Sequence, residues 1–358
     1  MPETPTPETA GRRPTMSDVA RAAGVSRQLV SIVMRDASGA SESTRSRVLA
    51  VAAEMGYVPD DRARKLRQTE AKLIGITYEL QQPFHGDVVE QIYLAAATTG
   101  YDVALSAVAP TRSEAVAVES LIRARCDAIV MLGPESSVPD MKRWAERIPV
   151  VAVARRIKAP GVAVVRGDDA AGMRAAVEYL AQLGHLRIAH IDGAEAPGSA
   201  DRRASYRRTM RRLGLGELAD VIEGGPEEKD GARGVQALLA RPKPPTAVIA
   251  FNDRCASGVL QYANRTGVRI PGDLSVMGYD DSRLADFPHV QLTTVSQDAA
   301  EIARAAVDMA LARIAGRPAQ ELVVRPRLVV RDTAAPPRPP LPAEMASTYD
   351  GTHAAPRS

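Results

Sequence analysis

The sequence is poor in cysteine and in aromatic residues. Cys126 and Cys255 are the only thiols in 358 residues. Two such distant cysteines give neither a disulfide framework nor a metal-ligand spacing. Their apolar surroundings predict small buried side chains rather than reactive thiols. The five histidines, His85, His185, His190, His289 and His353, have no ligand spacing, and no glycine-rich phosphate loop or nucleophile-elbow motif occurs. The sequence therefore nominates no catalytic group, metal or cofactor, and the expectation is that the chain is not an enzyme. His185 follows the helix-ending Gly184 and reads as a loop or cap residue rather than a base. An acid–base pair assembled only by folding would leave no such mark. Long apolar runs are also missing: none approaches the ~18 residues that span a bilayer. Residues 1–13 are polar and proline-rich, without the apolar segment of a secretion signal. These absences predict a cytoplasmic protein with no membrane partner.

What is present starts at residues 15–34, TMSDVARAAGVSRQLVSIVM. Thr15 with Asp18 fits a capping box. Val19, Ala20 and Ala23 follow at helical spacing. Gly24 is placed to end that helix, since glycine enters the left-handed region without steric cost. Ser26 is placed to cap a second helix with Leu29, Val30, Val33 and Met34 on its apolar face. A third helix runs from a Ser41 cap to Gly56, with Val48, Leu49 and Ala52 as its expected buried stripe. Three short helices with a tight turn between the first two describe a helix-turn-helix head.

Charge points the same way. Residues 1–67 hold eleven Lys/Arg against eight Asp/Glu, a net of +3, which is the net charge of the whole chain. The excess sits in the head, where basic side chains would displace counterions from DNA phosphates. Residues 59–68, PDDRARKLRQ, form a short basic segment around Ala63 and Leu66. A helix that short is marginal alone and needs a partner copy or DNA to pack on.

From Ala71 the rhythm changes to apolar strands alternating with helices. LIGITYEL, YDVALSAV, DAIVMLG, PVVAVA, RIAHIDG, TAVIAFND and LSVMGYDD read as strands. Helices are expected near Val88–Thr99, Glu114–Arg123, Ala170–Leu183, Arg202–Leu213 and Ala256–Thr266, with a last one over Gln297–Ala315 before a strand ELVVRPRLVV. This is an α/β body of two lobes, each a parallel sheet flanked by helices. The expected division is a disordered tail over 1–13, the head over 14–58, a hinge segment over 59–70 and the body over 71–333. Within the body, lobe 1 takes about 71–160 and 294–325 and lobe 2 about 161–293. Residues 334–358 are rich in proline and polar residues and read as a second tail.

The blocks DVARAAGVSRQLVS, STRSRVLAVAAEMGYVPD and ARKLR, taken in series, resemble the LacI/GalR family of bacterial transcription regulators. LGHLRIAHI, TAVIAFND, IPGDLSVMGYDD and QLTTVSQD extend the resemblance from about Pro14 to Arg331. It implies a periplasmic-binding-protein-like body and a homodimer on a near-palindromic double-stranded DNA operator, with one recognition helix per major groove. It also implies a small-molecule effector, a carbohydrate in many members, between the lobes. By this resemblance the recognition helix begins at Ser26, Arg27 and Gln28 take the base-reading positions, and Ser31 lies at the groove. Arginine suits guanine and glutamine suits adenine by bidentate geometry. Ile32 and Arg35 depart from the usual VSRVLNG, so a different operator is expected. Leu66 matches the minor-groove wedge, and Ala63 is the small residue where paired hinge helices approach.

For the effector, the resemblance nominates Arg202 as the clamp, with Asn252, Asp253 and Asp280 after strand ends and Gln297 on a lobe crossover. Phe84 and His85 lie in an expected loop after the first strand. Carboxylate, amide and guanidinium together suit vicinal hydroxyls. Turn capping or lobe packing would equally explain Asn252, Asp253, Phe84 and Gln297. Ala154 stands where sugar-sensing members have Asp, and Pro226 where an aromatic residue is common. A less polar ligand, an acidic ligand, or a regulator without effector response fits those departures. A stand-alone solute-binding protein of the same body is the competing reading, opposed by the basic head.

Overall fold

The structure, a computed structural model, describes residues 14–34, 36–57 and 71–338. Arg35, Ala63, Leu66, the expected hinge segment and most of both expected tails lie outside the described residues.

The head is three helices, α1 (Met16–Ala23), α2 (Arg27–Met34) and α3 (Glu42–Glu54). The Thr15–Asp18 capping box forms in both directions, and Leu29 N–H donates to Ser26 Oγ at 3.1 Å. Gly24 ends α1 at φ 65°, the left-handed conformation that the corner requires. Val19, Ala20, Ala23, Val30, Val33, Val48 and Ala52 form the core. Leu49, expected in the buried stripe, is 47% exposed. It sits one position past Val48, and a helix turns about 100° per residue, so two neighbours seldom share a narrow face.

In the body, six strands form a parallel sheet in the order β11-β5-β4-β3-β1-β2. They are β1 (Leu73–Glu79), β2 (Asp102–Val108), β3 (Ala128–Leu132), β4 (Val150–Val153), β5 (Val162–Gly167) and β11 (Glu321–Val324). α4 (Pro83–Ala96) and α11 (Ala299–Ile314) cover one face. α5 (Glu114–Arg123) and α6 (Val138–Ala145) cover the other, with Trp144 and Met141 in that core.

The second sheet, β7-β6-β8-β9, is also parallel. Its strands are β6 (Ile188–Ile191), β7 (Asp220–Ile222), β8 (Ala247–Ala250) and β9 (Ser275–Met277). α7 (Asp169–Gln182) and α8 (Ser199–Arg212) lie on one side, α9 (Glu228–Leu239) and α10 (Asp253–Thr266) on the other. Strands buried on both faces explain the continuous apolar runs.

Four expectations change here. Residues 161–167 were placed in lobe 2, yet β5 pairs with β4 in the first sheet. ELVVRPRLVV is two strands: β11 joins the first sheet, and β12 (Arg327–Val329) pairs antiparallel with β10 (Thr294–Ser296). Pro326 between them has no amide proton for a ladder. β10, placed in lobe 1, sends Val295 into the core of the second lobe. Residues 334–338, read as tail, strap that lobe: Ala335 O accepts from Ser275 Oγ at 3.0 Å and lies 2.9 Å from His185 Nε2. Both cysteines are buried.

α9 and α10 approach closely through glycines. A Cβ on Gly258 would run into the carbonyl of Glu228, and one on Gly231 into that of Cys255. Gly258→Ala is expected to cost about 1–3 kcal/mol through overpacking. Gly86→Ala, where α4 leaves open space, is expected to gain about 0.5–1 kcal/mol. Urea unfolding followed by circular dichroism checks both signs, and a shift in the same direction for both would contradict this packing.

Candidate functional site

In the head, Ser26, Arg27 and Gln28 at the start of α2 are exposed. Ser31 and Ile32 are half-buried. Gly39 lies close enough that a Cβ there would touch Ile32 Cδ1 at 3.8 Å. Ile32 thus packs on the turn after its own helix. That turn is held by Arg45 of α3, which the sequence reading passed over. Arg45 Nη1 donates to Asp36 Oδ1 at 2.7 Å and Nη2 to Ala37 O at 2.8 Å. The exposed edge of α2 is therefore carried on a fixed scaffold.

In the body, the chain passes between the two sheets after β5, between β10 and α11, and between β11 and β12. The structure gathers Arg202, Asp280 and Gln297 beside these crossovers. Arg202, on the inner face of α8, is 4% exposed. Its Nε donates to Asp169 Oδ1 at 2.7 Å and its Nη1 to Phe251 O at 2.7 Å. Nη2 lies 3.8 Å from Asp280 Oδ1. The guanidinium also stacks on Tyr279, 3.6 Å from the ring centre. Gln297 Nε2 donates to Asp280 Oδ1 at 2.7 Å, and a Cβ on Gly167 would meet Gln297 Oε1 at 3.0 Å. Asp168 N–H donates to Val324 O at 3.0 Å, tying the first crossover to the third. Asp169 was missed by sequence reasoning; the doubled Asp168–Asp169 before a helix was its one signal.

The other nominees are not in this group. Asn252 caps α10, accepting from Cys255 N–H at 2.8 Å. Asp253 accepts from Ser282 N–H, Ser282 Oγ and Thr294 Oγ1, which brace the second lobe. Phe84 is not in a loop. α4 starts at Pro83, a residue suited to a first helical position, and Phe84 is buried in the first lobe's core. His85 Nδ1 accepts from Glu79 N–H at 3.0 Å. Ala154 adopts φ 59°, a conformation Asp tolerates better than Ala.

Burial dominates the electrostatics. It lowers His85 to about 4, so that imidazole is neutral. Burial, with Asp280 nearby, raises Asp253 to about 8 despite its three donors. Burial raises Asp280 to about 6 against the opposing pull of Arg202 and Gln297. Burial also raises Asp169, again opposed by Arg202. Burial works against the Arg202 charge, but Asp169, Tyr279 and Asp280 outweigh it and the guanidinium stays ionised. Across the lobes, Arg283 pairs with Asp87 at 2.5 Å and with Glu90 at 3.3 Å. Arg156 lies 4.0 Å from Asp201.

Residues 15–60 match the family described as bacterial regulatory proteins, lacI family. Residues 177–334 match the periplasmic binding protein-like domain. The HTH-type transcriptional regulator GalR of Escherichia coli K12 is 31% identical over 331 residues, 90% of this chain and 96% of GalR. The chain belongs to the LacI family. It is a DNA-binding transcriptional regulator, as its relatives are. A crystal structure of a LacI transcriptional regulator from a Rhodococcus species is 56% identical, with TM-score 0.73 over 74% of this chain and all of that one. The lac repressor dimer bound to operator and the anti-inducer ONPF is 28% identical, with TM-score 0.77 over 90% of this chain and all of that one. The expected head and two-sheet body are those of this family.

Arg202→Ala would leave Asp169 and Asp280 buried without their counter-charge, at about 3–5 kcal/mol. Freed from the guanidinium, both carboxyls would hold protons more tightly in the folded state than in the unfolded state. Stability gained that way is present at low pH and lost as pH rises through the folded values. The deficit against wild type should therefore shrink from pH 8 to pH 5. Urea midpoints across that range check it; parallel curves would contradict it.

Proposed function

We propose that this LacI-family chain is a repressor that binds a near-palindromic operator as a homodimer and is controlled by a small molecule between its lobes. The observation that carries the DNA half is the exposed start of α2, where Arg27 and Gln28 project from a head whose turn Arg45 clamps. Arg27 in a major groove would meet guanine and Gln28 adenine. Leu66 and Ala63 keep the wedge and hinge-pairing roles that the family resemblance assigns. Dimerisation is supported by exposed apolar side chains on one lobe: Tyr93 and Leu94 on α4, Leu105 on the edge strand β2, and Val116 on α5.

The cleft half rests on Arg202, Asp280 and Gln297 at the lobe crossovers, with Asn252 and Asp253 behind them. A ligand with adjacent hydroxyls, such as a carbohydrate, suits amide and carboxylate groups there. It would act by shifting the balance between lobe arrangements rather than by force. A regulator without effector response is favoured by one specific observation: Arg202, Asp253 and Asp280 already bond within the protein. No described helix is long and apolar enough to cross a membrane, and the reading places the chain with the DNA in the cytoplasm.

Selection of bound sites from a randomised DNA pool, with full-length protein and no added ligand, tests this reading. A palindromic consensus supports it; a pool without enrichment, with or without added sugars, contradicts it. On the selected site, Arg27→Ala should lose about 1–3 kcal/mol of discrimination at one base pair of each half-site. Unchanged selectivity would remove Arg27 from base reading.

A further inference from the structure

The outer side of the second lobe carries a groove that neither DNA reading nor the interlobe cleft uses. It lies between α7 and α8, encloses about 550 Å3, and is lined by Arg174, Ser205, Arg208, Thr209, Arg211 and Arg212. Six of the fourteen residues of α8 are arginine, and Asp201 is its single acid. Ser205, Arg208, Thr209 and Arg212 recur at three- and four-residue spacing, which puts them on one helix face. Ser205 and Thr209 are each 3% exposed and make a polar floor. The four arginines are exposed and make the rim. Glu178 of α7 neutralises Arg212. Among the described residues, Arg174, Arg208 and Arg211 have no acidic partner, and Arg211 Nε donates to the Arg207 carbonyl at 3.3 Å.

Guanidinium groups converging on one space repel each other unless an anion sits between them. Their planar forks match phosphate oxygens in pairs. The volume falls within the roughly 300–1,000 Å3 of small-molecule sites. Ser205 Oγ donates its proton to Ala170 O at 2.6 Å, so Thr209 offers the floor's hydroxyl donor. A concave groove suits a compact anion better than the long backbone of a duplex. We propose that this groove binds a small polyphosphorylated molecule, at a second ligand site separate from the cleft. α8 then has two charged faces with different duties. Arg202 faces inward to the crossovers, and the rim arginines face out to the ligand.

The test is titration calorimetry of the full chain with inorganic pyrophosphate in phosphate-free buffer at low salt. Saturable binding is expected, with slowed hydrogen exchange in α7 and α8. Replacing two of the three rim arginines without an acidic partner, Arg174→Gln with Arg208→Gln, should weaken it by about tenfold or more, the size of a lost charge-assisted contact. Glu178→Gln, which releases Arg212, should tighten it. No saturable binding, equal affinity in the double variant, or protection confined to the head would overturn the proposal. So would a non-operator duplex that loses affinity in the double variant while pyrophosphate binding is unchanged.

Discussion

The body depends on one buried guanidinium. Arg202 is nearly sealed from water, and a charge in that position persists only when paired. Its surroundings supply what it requires: the Asp169 carboxylate, the Phe251 carbonyl, the Tyr279 ring, and Asp280 at 3.8 Å. The glycines nearby follow from this. Gly172 leaves the space that the Tyr279 hydroxyl occupies, and Gly167 leaves room for Gln297. Through Asp169 the guanidinium touches the first lobe crossover, and through Asp280 and Gln297 the second. Hydrogen bonds made between buried groups are hard to trade for bonds to a ligand. A molecule entering the cleft therefore meets a site whose strongest donors are already committed.

Charge also explains why the outer groove was invisible in composition. Beyond residue 67 the acids and bases of the chain balance. The balance hides local crowding: six arginines collect on α8, and at the groove, among the described residues, only Glu178 of α7 pairs with one of them. Net charge speaks for a whole surface, and a groove responds only to the groups that line it.

Much of the fold was legible because local rules and burial agreed. Gly24, Ser41 and the Thr15–Asp18 pair mark helix ends through local hydrogen bonds alone, and the structure keeps each of them. The structure keeps the expected helix over Glu114–Arg123, where Ser113 caps it and Ala117, Val118 and Leu121 are buried. Failures came where a distant partner decides. Nothing local to 162–167 says which sheet it joins. The start of α4 at Pro83 moved Phe84 from loop to core, because an aromatic in a first helical turn can reach the sheet beneath. Arg45 and Asp169 act across nine and thirty-three residues of chain, beyond any periodicity. The sequence nominated Arg202, Asp280 and Gln297 through family resemblance, while their joining into one network came only from the folded chain.

Whether Arg202 holds the lobes in register is measured most directly by pulsed electron spin resonance. Spin labels at Arg123→Cys on α5 and Arg265→Cys on α10 report the distance between the two lobes. Both positions are exposed and the native cysteines are buried. Doubly labelled chain, diluted with unlabelled chain, should give one narrow distance distribution. Adding Arg202→Met at pH 6, in protein whose circular dichroism is unchanged, should broaden that distribution or add a second population. The same narrow distribution with and without Arg202 would mean that the lobes are held by other contacts.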